Sequence, residues 1–354
     1  MRWGLIARAD ESGLGTQTWE AYRHLHPDRT LVIDVSSMAD DRDHCNKRTD
    51  LSRYPDALVH RGPIPTPEII EEFLEGLDLV FTAETFYTYD LLNRANHRGI
   101  KTILQYNYEF LDYLRDPHLP KPTLLAAPSL WNYFHVHFTN KIHLPVPIAT
   151  DRFTPDPDPP NLPRTFLHPV GRPATHDRNG TGDLIAALPY IRSPMTIRFA
   201  CQRSDTVPAL LEGVTVPDNI KIDIVGPAEN YWDNYAEVDA VILPRRYGGL
   251  CLPAQEAVGA HLPVLMPNID PNNRWMPPEW LYPATVSGGF EARAHIQVYR
   301  TAPTELARSI DRFSTDPVLY ARARTQAAQL AESLSWDALA PRYRHIFDKV
   351  VDKA

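Results

Sequence analysis

The sequence predicts an α/β protein built as two doubly wound domains. Three observations carry this: short β-branched runs alternate with helical patterns, a cluster of prolines interrupts the alternation, and the alternation then restarts. The length of 354 residues suits two domains of about 100–200 residues each. The first half opens with Gly4-Leu5-Ile6-Ala7 as a strand and a helix over 16–25. Strands follow at Leu31-Val32-Ile33-Asp34-Val35, Ala57-Leu58-Val59-His60, Leu79-Val80-Phe81-Thr82 and Thr102-Ile103-Leu104-Gln105, with helices over 67–74 and 89–97 between them. Strands alternating with helices of this length imply a parallel sheet covered on both faces. Gly99 stands where a helix ends on a left-handed residue.

Pro155, Pro157, Pro159, Pro160 and Pro163 obstruct both helix and central strand. They mark a linker that separates a domain over 1–158 from one over 164–334. The second domain repeats the pattern, with strands Phe166-Leu167-His168-Pro169-Val170, Thr196-Ile197-Arg198-Phe199, Ile222-Asp223-Ile224-Val225, Ala240-Val241-Ile242-Leu243 and Pro263-Val264-Leu265-Met266. Helices are expected over 182–188, 231–237 and 253–260. Two such domains are expected to face a central cleft and to offer it the loops at the carboxyl ends of their strands.

Apolar residues make up 43% and charged ones 23%, enough for packed cores and contrary to disorder as the overall state. Lys plus Arg number 36 against 44 for Asp plus Glu, a net charge of −8, the wrong sign for general attraction to nucleic-acid phosphates or anionic lipid. Arg42, Lys47, Arg48 and Arg53 nonetheless form a local basic stretch. No run approaches the ~20 apolar residues that span a bilayer, and the opening segment, broken by Arg8, is too short for the core of a secretory signal. Cys45, Cys201 and Cys251 are odd in number, widely spaced and without a C-x-x-C pair, which fits a reducing cytoplasm. His135 and His137 alternate without an evident third ligand, so no metal site is expected. His24, His26 and His44 read as ordinary surface residues.

The first strand leads into Asp10-Glu11-Ser12-Gly13-Leu14-Gly15-Thr16, where backbone N–H groups and a helix dipole can meet an anion. This loop lacks the third glycine of a dinucleotide fingerprint and the Lys-Ser/Thr ending of a P-loop, which argues against NAD and against ATP hydrolysis. A turn whose glycines serve geometry alone is the alternative. In the second half, Leu243 is followed by Pro244-Arg245-Arg246-Tyr247-Gly248-Gly249-Leu250-Cys251-Leu252-Pro253-Ala254-Gln255-Glu256-Ala257. Two arginines, a glycine-bearing loop and a helix start bring positive charge and N–H groups together. Glu256 reads as a buried acid on the first turn of that helix, where a carboxylate complements the dipole or accepts ribose hydroxyls. A plain helix-start residue is the other reading.

This stretch resembles the signature of retaining GT-B glycosyltransferases of family four, Pro-Ser-x-x-Glu-Gly-Phe-Gly-Leu-Pro-x-x-Glu-Ala, with Leu252, Pro253, Glu256 and Ala257 in register. Further matches keep the family's order: Val170-Gly171-Arg172 with Arg178-Asn179-Gly180, then Asp239 to Pro244, then Leu262-Pro263-Val264. Ala127-Pro128-Ser129-Leu130-Trp131 and the segment from Leu144 to Phe153 resemble the family's close of the first domain. Ser335-Trp336 and the helix after them resemble its terminal segment, so 335–354 is expected to cross back onto the first domain.

The resemblance implies two Rossmann-like domains, no cofactor, and a nucleotide-sugar donor, UDP- or GDP-linked, as co-substrate. Arg172 and Arg178 occupy the positions of an Arg and a Lys around the donor diphosphate, and fixed cations stabilise a departing diphosphate more than a bound one. The first glutamate of the family's Glu-x7-Glu pair is replaced by Gly248, so donor contacts are expected from the backbone of Gly248, Gly249 and Leu250, with charge from Arg245 or Arg246. Gly13, Gly15, Gly171 and Gly226 join the donor-binding set. Gln105-Tyr106-Asn107-Tyr108-Glu109 follows a strand where relatives carry a histidine. Tyr106 and Asn107 are therefore expected on the acceptor side, with Glu109 able to act as a base. The acceptor class stays open among glycans, small molecules and modified DNA bases. The compact chain is also similar to glycosyltransferases of bacterial viruses and actinobacteria, and a cytoplasmic location is expected, the host's cytoplasm if the chain is viral. A non-catalytic sugar-nucleotide or glycan binding protein and a sugar-nucleotide epimerase are the alternatives.

Overall fold

The computed structural model describes residues 1–36, 49–171, 176–203 and 205–352. It divides into two compact units, one of 1–147, 292–294 and 336–354 and the other of 148–291 and 295–335. The division falls before the proline cluster, which lies between a 3-10 turn at Thr150–Arg152 and the first strand of the second unit.

In the first unit the chain runs β1 (Trp3–Ala7), α1 (Gly13–Leu25), β2 (Arg29–Asp34), β3 (Leu58–Arg61), α2 (Pro67–Leu74), β4 (Leu79–Ala83), α3 (Tyr89–His97), β5 (Lys101–Gln105), β6 (Leu124–Ala127) and β7 (Lys141–His143). The seven strands form one parallel sheet in the order β3-β2-β1-β4-β5-β6-β7. Local chemistry sets the helix ends. Thr66 and Thr88 accept N–H groups at the starts of α2 and α3, Pro67 occupies the first turn of α2, and Gly99 follows α3 at φ +72°. Alternation along β1 serves two faces: Trp3 meets Phe347 at 5.1 Å, while a Cβ on Gly4 would come within 2.8 Å of Phe73 on α2.

The second unit runs β8 (Thr165–Gly171), α4 (Thr181–Ala187), β9 (Met195–Cys201), α5 (Thr206–Leu211), β10 (Ile220–Val225), β11 (Ala240–Ile242), α6 (Leu252–Gly259), β12 (Val264–Pro267) and β13 (Leu281–Tyr282). A hairpin, β14 (Thr285–Glu291) and β15 (His295–Arg300), and helices α7 (Pro303–Thr315) and α8 (Pro317–Ser333) follow. Its six-stranded sheet has the order β10-β9-β8-β11-β12-β13, again parallel. Phe166, Ile197, Phe199, Val241 and Leu265 are among the side chains of its apolar core. The expected helix over 231–237 is instead a 3-10 turn at Tyr231–Tyr235, opened by reciprocal Asn230 and Asp233 contacts and followed by Glu237 at φ +57°.

The last helix, α9 (Trp336–Asp352), belongs to the first unit. Phe347 and Tyr343 pack on Phe81, and the Tyr343 hydroxyl donates to Pro145 O at 3.0 Å and accepts from Gln105 at 2.8 Å. His24, expected as a plain surface residue, stacks on Trp336 with ring centroids 4.9 Å apart. Among the described residues no helix is long and apolar enough to cross a membrane. Cys201 and Cys251 are buried free thiols; Cys45, His44, Arg42, Lys47 and Arg48 lie outside the described residues.

Candidate functional site

An open parallel sheet binds ligands at the carboxyl ends of its strands where the strand order reverses. In the second unit that point lies between β8 and β11. β8 ends at Gly171, at φ +66°, with Asn179 Nδ2 3.0 Å from the place of a Cβ. Arg172 and residues 173–175 lie outside the described residues. The chain returns through His176 and Asp177, both left-handed at φ +58° and +50°. The Asp177 carboxylate takes the N–H groups of Thr181 at 3.0 Å and Gly182 at 2.9 Å, so the start of α4 is already satisfied by an internal anion.

The β8–α4 loop is laced to the loop after β11. Arg246 N–H donates to Arg178 O at 2.8 Å, and Arg245 Nη1 donates to Asn179 Oδ1 at 3.4 Å. Gly180, at φ +71°, allows closest approach, since a Cβ there would lie 2.0 Å from Pro244 O. Beneath, His168 is fully buried. Its Nδ1 faces Ile242 O at 2.8 Å and must donate, so Nε2 accepts from the Thr181 hydroxyl at 2.9 Å. Burial pushes this imidazole down to about 4, so it is neutral at physiological pH.

The two arginines after β11 do different work. Arg246, 8% exposed, holds Asp183 in a fork, Nε to Oδ2 at 3.1 Å and Nη2 to Oδ1 at 2.6 Å, and donates to His176 O at 3.2 Å. Asp183 thus balances the Arg246 charge within this unit. Arg245 lies under the loop and donates to Leu250 O at 3.0 Å; a Cβ on Gly248, at φ +116°, would meet its Nη2 at 2.5 Å. Among the described residues none accepts from the backbone N–H of Gly248, Gly249, Leu250 or Cys251, four successive donors ahead of α6. The Arg178 guanidinium lies over the Tyr247 ring, 4.7 Å from its centroid.

Glu256 sits on the second turn of α6 rather than the first, because the helix begins at Leu252. Its carboxyl accepts from Tyr235 Oη at 2.5 Å, and Tyr235 also donates to Pro253 O at 3.2 Å. Burial pushes the acid up to about 7, with the Tyr235 hydrogen bond opposing the rise. Gly226 follows β10, the edge strand, with β9 between it and β8.

In the first unit the corresponding reversal lies between β1 and β4. Asp10, 3% exposed, accepts from Arg8, from the Ser12 hydroxyl and from Ser12 N–H at 3.1 Å, and Ser12 caps α1 by accepting Gly15 N–H at 3.1 Å. A Cβ on Gly15 would fall 1.9 Å from Asp10 O, so this glycine serves close approach. Gly13 opens the helix directly after Ser12, whose N–H the Asp10 carboxylate accepts. After β5, Asn107 Nδ2 lies 3.4 Å from both Glu84 Oε1 and Glu109 Oε1, and Glu109 is 4% exposed. Tyr106 is 2% exposed with no hydrogen-bond partner for its hydroxyl among the described residues, and burial raises its phenol. Sequence reasoning missed Glu84, at φ +63°; its place directly after β4, at the reversal, was the available signal.

No family model matches this chain, and no curated protein sequence does either. Solved structures match along its whole length. A glycosyltransferase from Rickettsia africae superposes with a TM-score of 0.71 at 14% identity, covering 100% of this chain and 99% of that one. Sucrose-phosphate synthase from Thermosynechococcus elongatus gives 0.68 at 16%, covering 100% of both chains. Anabaena HepE in complex with UDP and glucose gives 0.69 at 13%, covering 99% and 100%. The fold is GT-B. Within this GT-B chain, Arg178, Arg245, Arg246, Gly171 and Gly248 to Leu250 gather at the β8–β11 reversal of the second unit, while Asn107 and Glu109 gather in the first.

Proposed function

We propose that this chain is a glycosyltransferase that moves a sugar from a nucleoside-diphosphate donor, UDP- or GDP-linked, to an acceptor with retention of anomeric configuration. The observation that carries this is the loop after β11, whose N–H groups at 248–251, without an acceptor among the described residues, stand in the same laced pair of loops as the Arg178 guanidinium. Donors of this kind suit a leaving diphosphate, whose charge grows as the glycosidic bond breaks. Glu256 is suited to the ribose, since a carboxylate accepts two hydroxyls. The acceptor oxygen would bond to the anomeric carbon as the phosphate oxygen leaves on the same face, and the departing phosphate would take the acceptor's proton. Arg172 is proposed as the second cation. Tyr106, Asn107 and Glu109 are proposed on the acceptor side, the acceptor being a glycan, a small molecule or a modified DNA base. The UDP and glucose named with the Anabaena structure support a donor of this class.

A thermal-shift screen across UDP-, GDP-, ADP- and TDP-sugars tests the donor, because a ligand that binds the folded state raises its melting midpoint. One nucleotide series is expected to shift the midpoint, and a flat response to all four would overturn the reading. Retention is checked by NMR of the product's anomeric centre, and inversion would refute the same-face route.

A further inference from the structure

We infer that Tyr247 is a positioning residue that holds the Arg178 guanidinium for the donor diphosphate, and that the β14–β15 hairpin fixes Tyr247 in turn through Phe290. The inference rests on the donor reading above. Arginine is long, and confining it costs rotamer entropy, so a cation aimed at phosphate gains from a surface that holds it beforehand. Tyr247 supplies that surface. It is 3% exposed, and the Arg178 guanidinium carbon lies 4.7 Å from its ring centroid. Stacking engages the flat face of a guanidinium and not its in-plane N–H edge, the edge that recognises phosphate.

Tyr247 is itself held from the side. The Phe290 ring meets it edge-on, centroids 5.1 Å apart, and Phe290 stacks on His176 at 4.9 Å, two residues before Arg178. The contacts therefore close a ring, Arg178 to Tyr247 to Phe290 to His176 and back along the chain. Two backbone bonds fasten it: Tyr299 N–H of β15 donates to Arg246 O at 2.9 Å, and Arg246 N–H donates to Arg178 O at 2.8 Å. The hairpin, otherwise largely exposed along β14, thus supports one side of the loop pair.

The test is isothermal titration of the full chain with UDP, with GDP and with uridine, for wild type, Tyr247→Phe, Tyr247→Leu, Phe290→Leu and the same Leu changes in an Arg178→Ala background. Tyr247→Phe keeps the aromatic face and is expected to bind the diphosphate as wild type does. Tyr247→Leu is expected to weaken diphosphate binding by about 2- to 30-fold, the range of one cation–π contact, with uridine unaffected. In the Arg178→Ala background that loss should vanish. Should Tyr247→Leu not fold, Phe290→Leu carries the test through a smaller loss of the same selectivity. Equal losses for uridine and diphosphate, or an undiminished loss without Arg178, would overturn the positioning role and leave the donor reading standing. Failure of wild type to bind either diphosphate would overturn both.

Discussion

At position 248 a glycine stands where the family signature carries a glutamate, and the backbone explains why a side chain is absent. Its φ of +116° is a conformation that L side chains rarely adopt, and the space a Cβ would take is filled by the Arg245 guanidinium. Gly248→Glu is therefore expected to destabilise the protein by about 1–3 kcal/mol without tightening donor binding. Thermal melts and nucleotide-sugar titrations check both halves, and improved affinity would contradict the account. Residue types at the site were legible in the sequence, but their partners were not. Arg245 and Arg246 are adjacent and alike in sequence, yet the partner that distinguishes Arg246 is Asp183, 63 residues away. Only the tertiary fold brings that carboxylate under the loop, as it brings Glu84 beside Asn107.

On the scale of elements, His168 in β8 and Glu256 in α6 pull stability in opposite directions with pH. The folded imidazole titrates near 4 rather than 6.5, so its contribution is complete above 6.5 and is lost as pH falls toward 4. The folded carboxyl titrates near 7 rather than 4.5, so its contribution is complete below 4.5 and is lost as pH rises through 7. Between 4.5 and 6.5 the two slopes oppose each other. Relative to wild type, Glu256→Gln should thus gain stability with rising pH across this window, by up to about 1.4 kcal/mol per pH unit, and His168→Gln should show the reverse. Denaturant melts at several pH values measure this, and parallel profiles would refute it. The elements were legible where local signals are strong: α2 and α3 carry threonine caps, and Gly99 ends α3. The β14–β15 hairpin was not. β14 carries Gly288 and Gly289, which weaken a strand pattern, and its face is mostly solvated.

For the whole molecule, the two-domain pattern was readable because the β-α alternation restarts after the prolines, but the place of division was not. It falls between Pro147 and Ile148, set by which core each segment packs into. The C-terminal helix shows the strength of such packing. Phe347, 1% exposed, fills the space between Trp3 and Phe81, so Phe347→Ala is expected to cost about 3–5 kcal/mol. A thermal melt or limited proteolysis at the first unit checks this, and a wild-type midpoint would count against it. The same helix has a consequence for biosynthesis. The first strand leaves the ribosome early, yet its partner Phe347 is translated only after the intervening 148–335. At ~5–20 residues per second that interval lasts roughly 10–40 s. Throughout it the nascent N-terminal sheet lacks its last layer and presents Trp3 and Phe81 as a sticky surface for chaperones to shield.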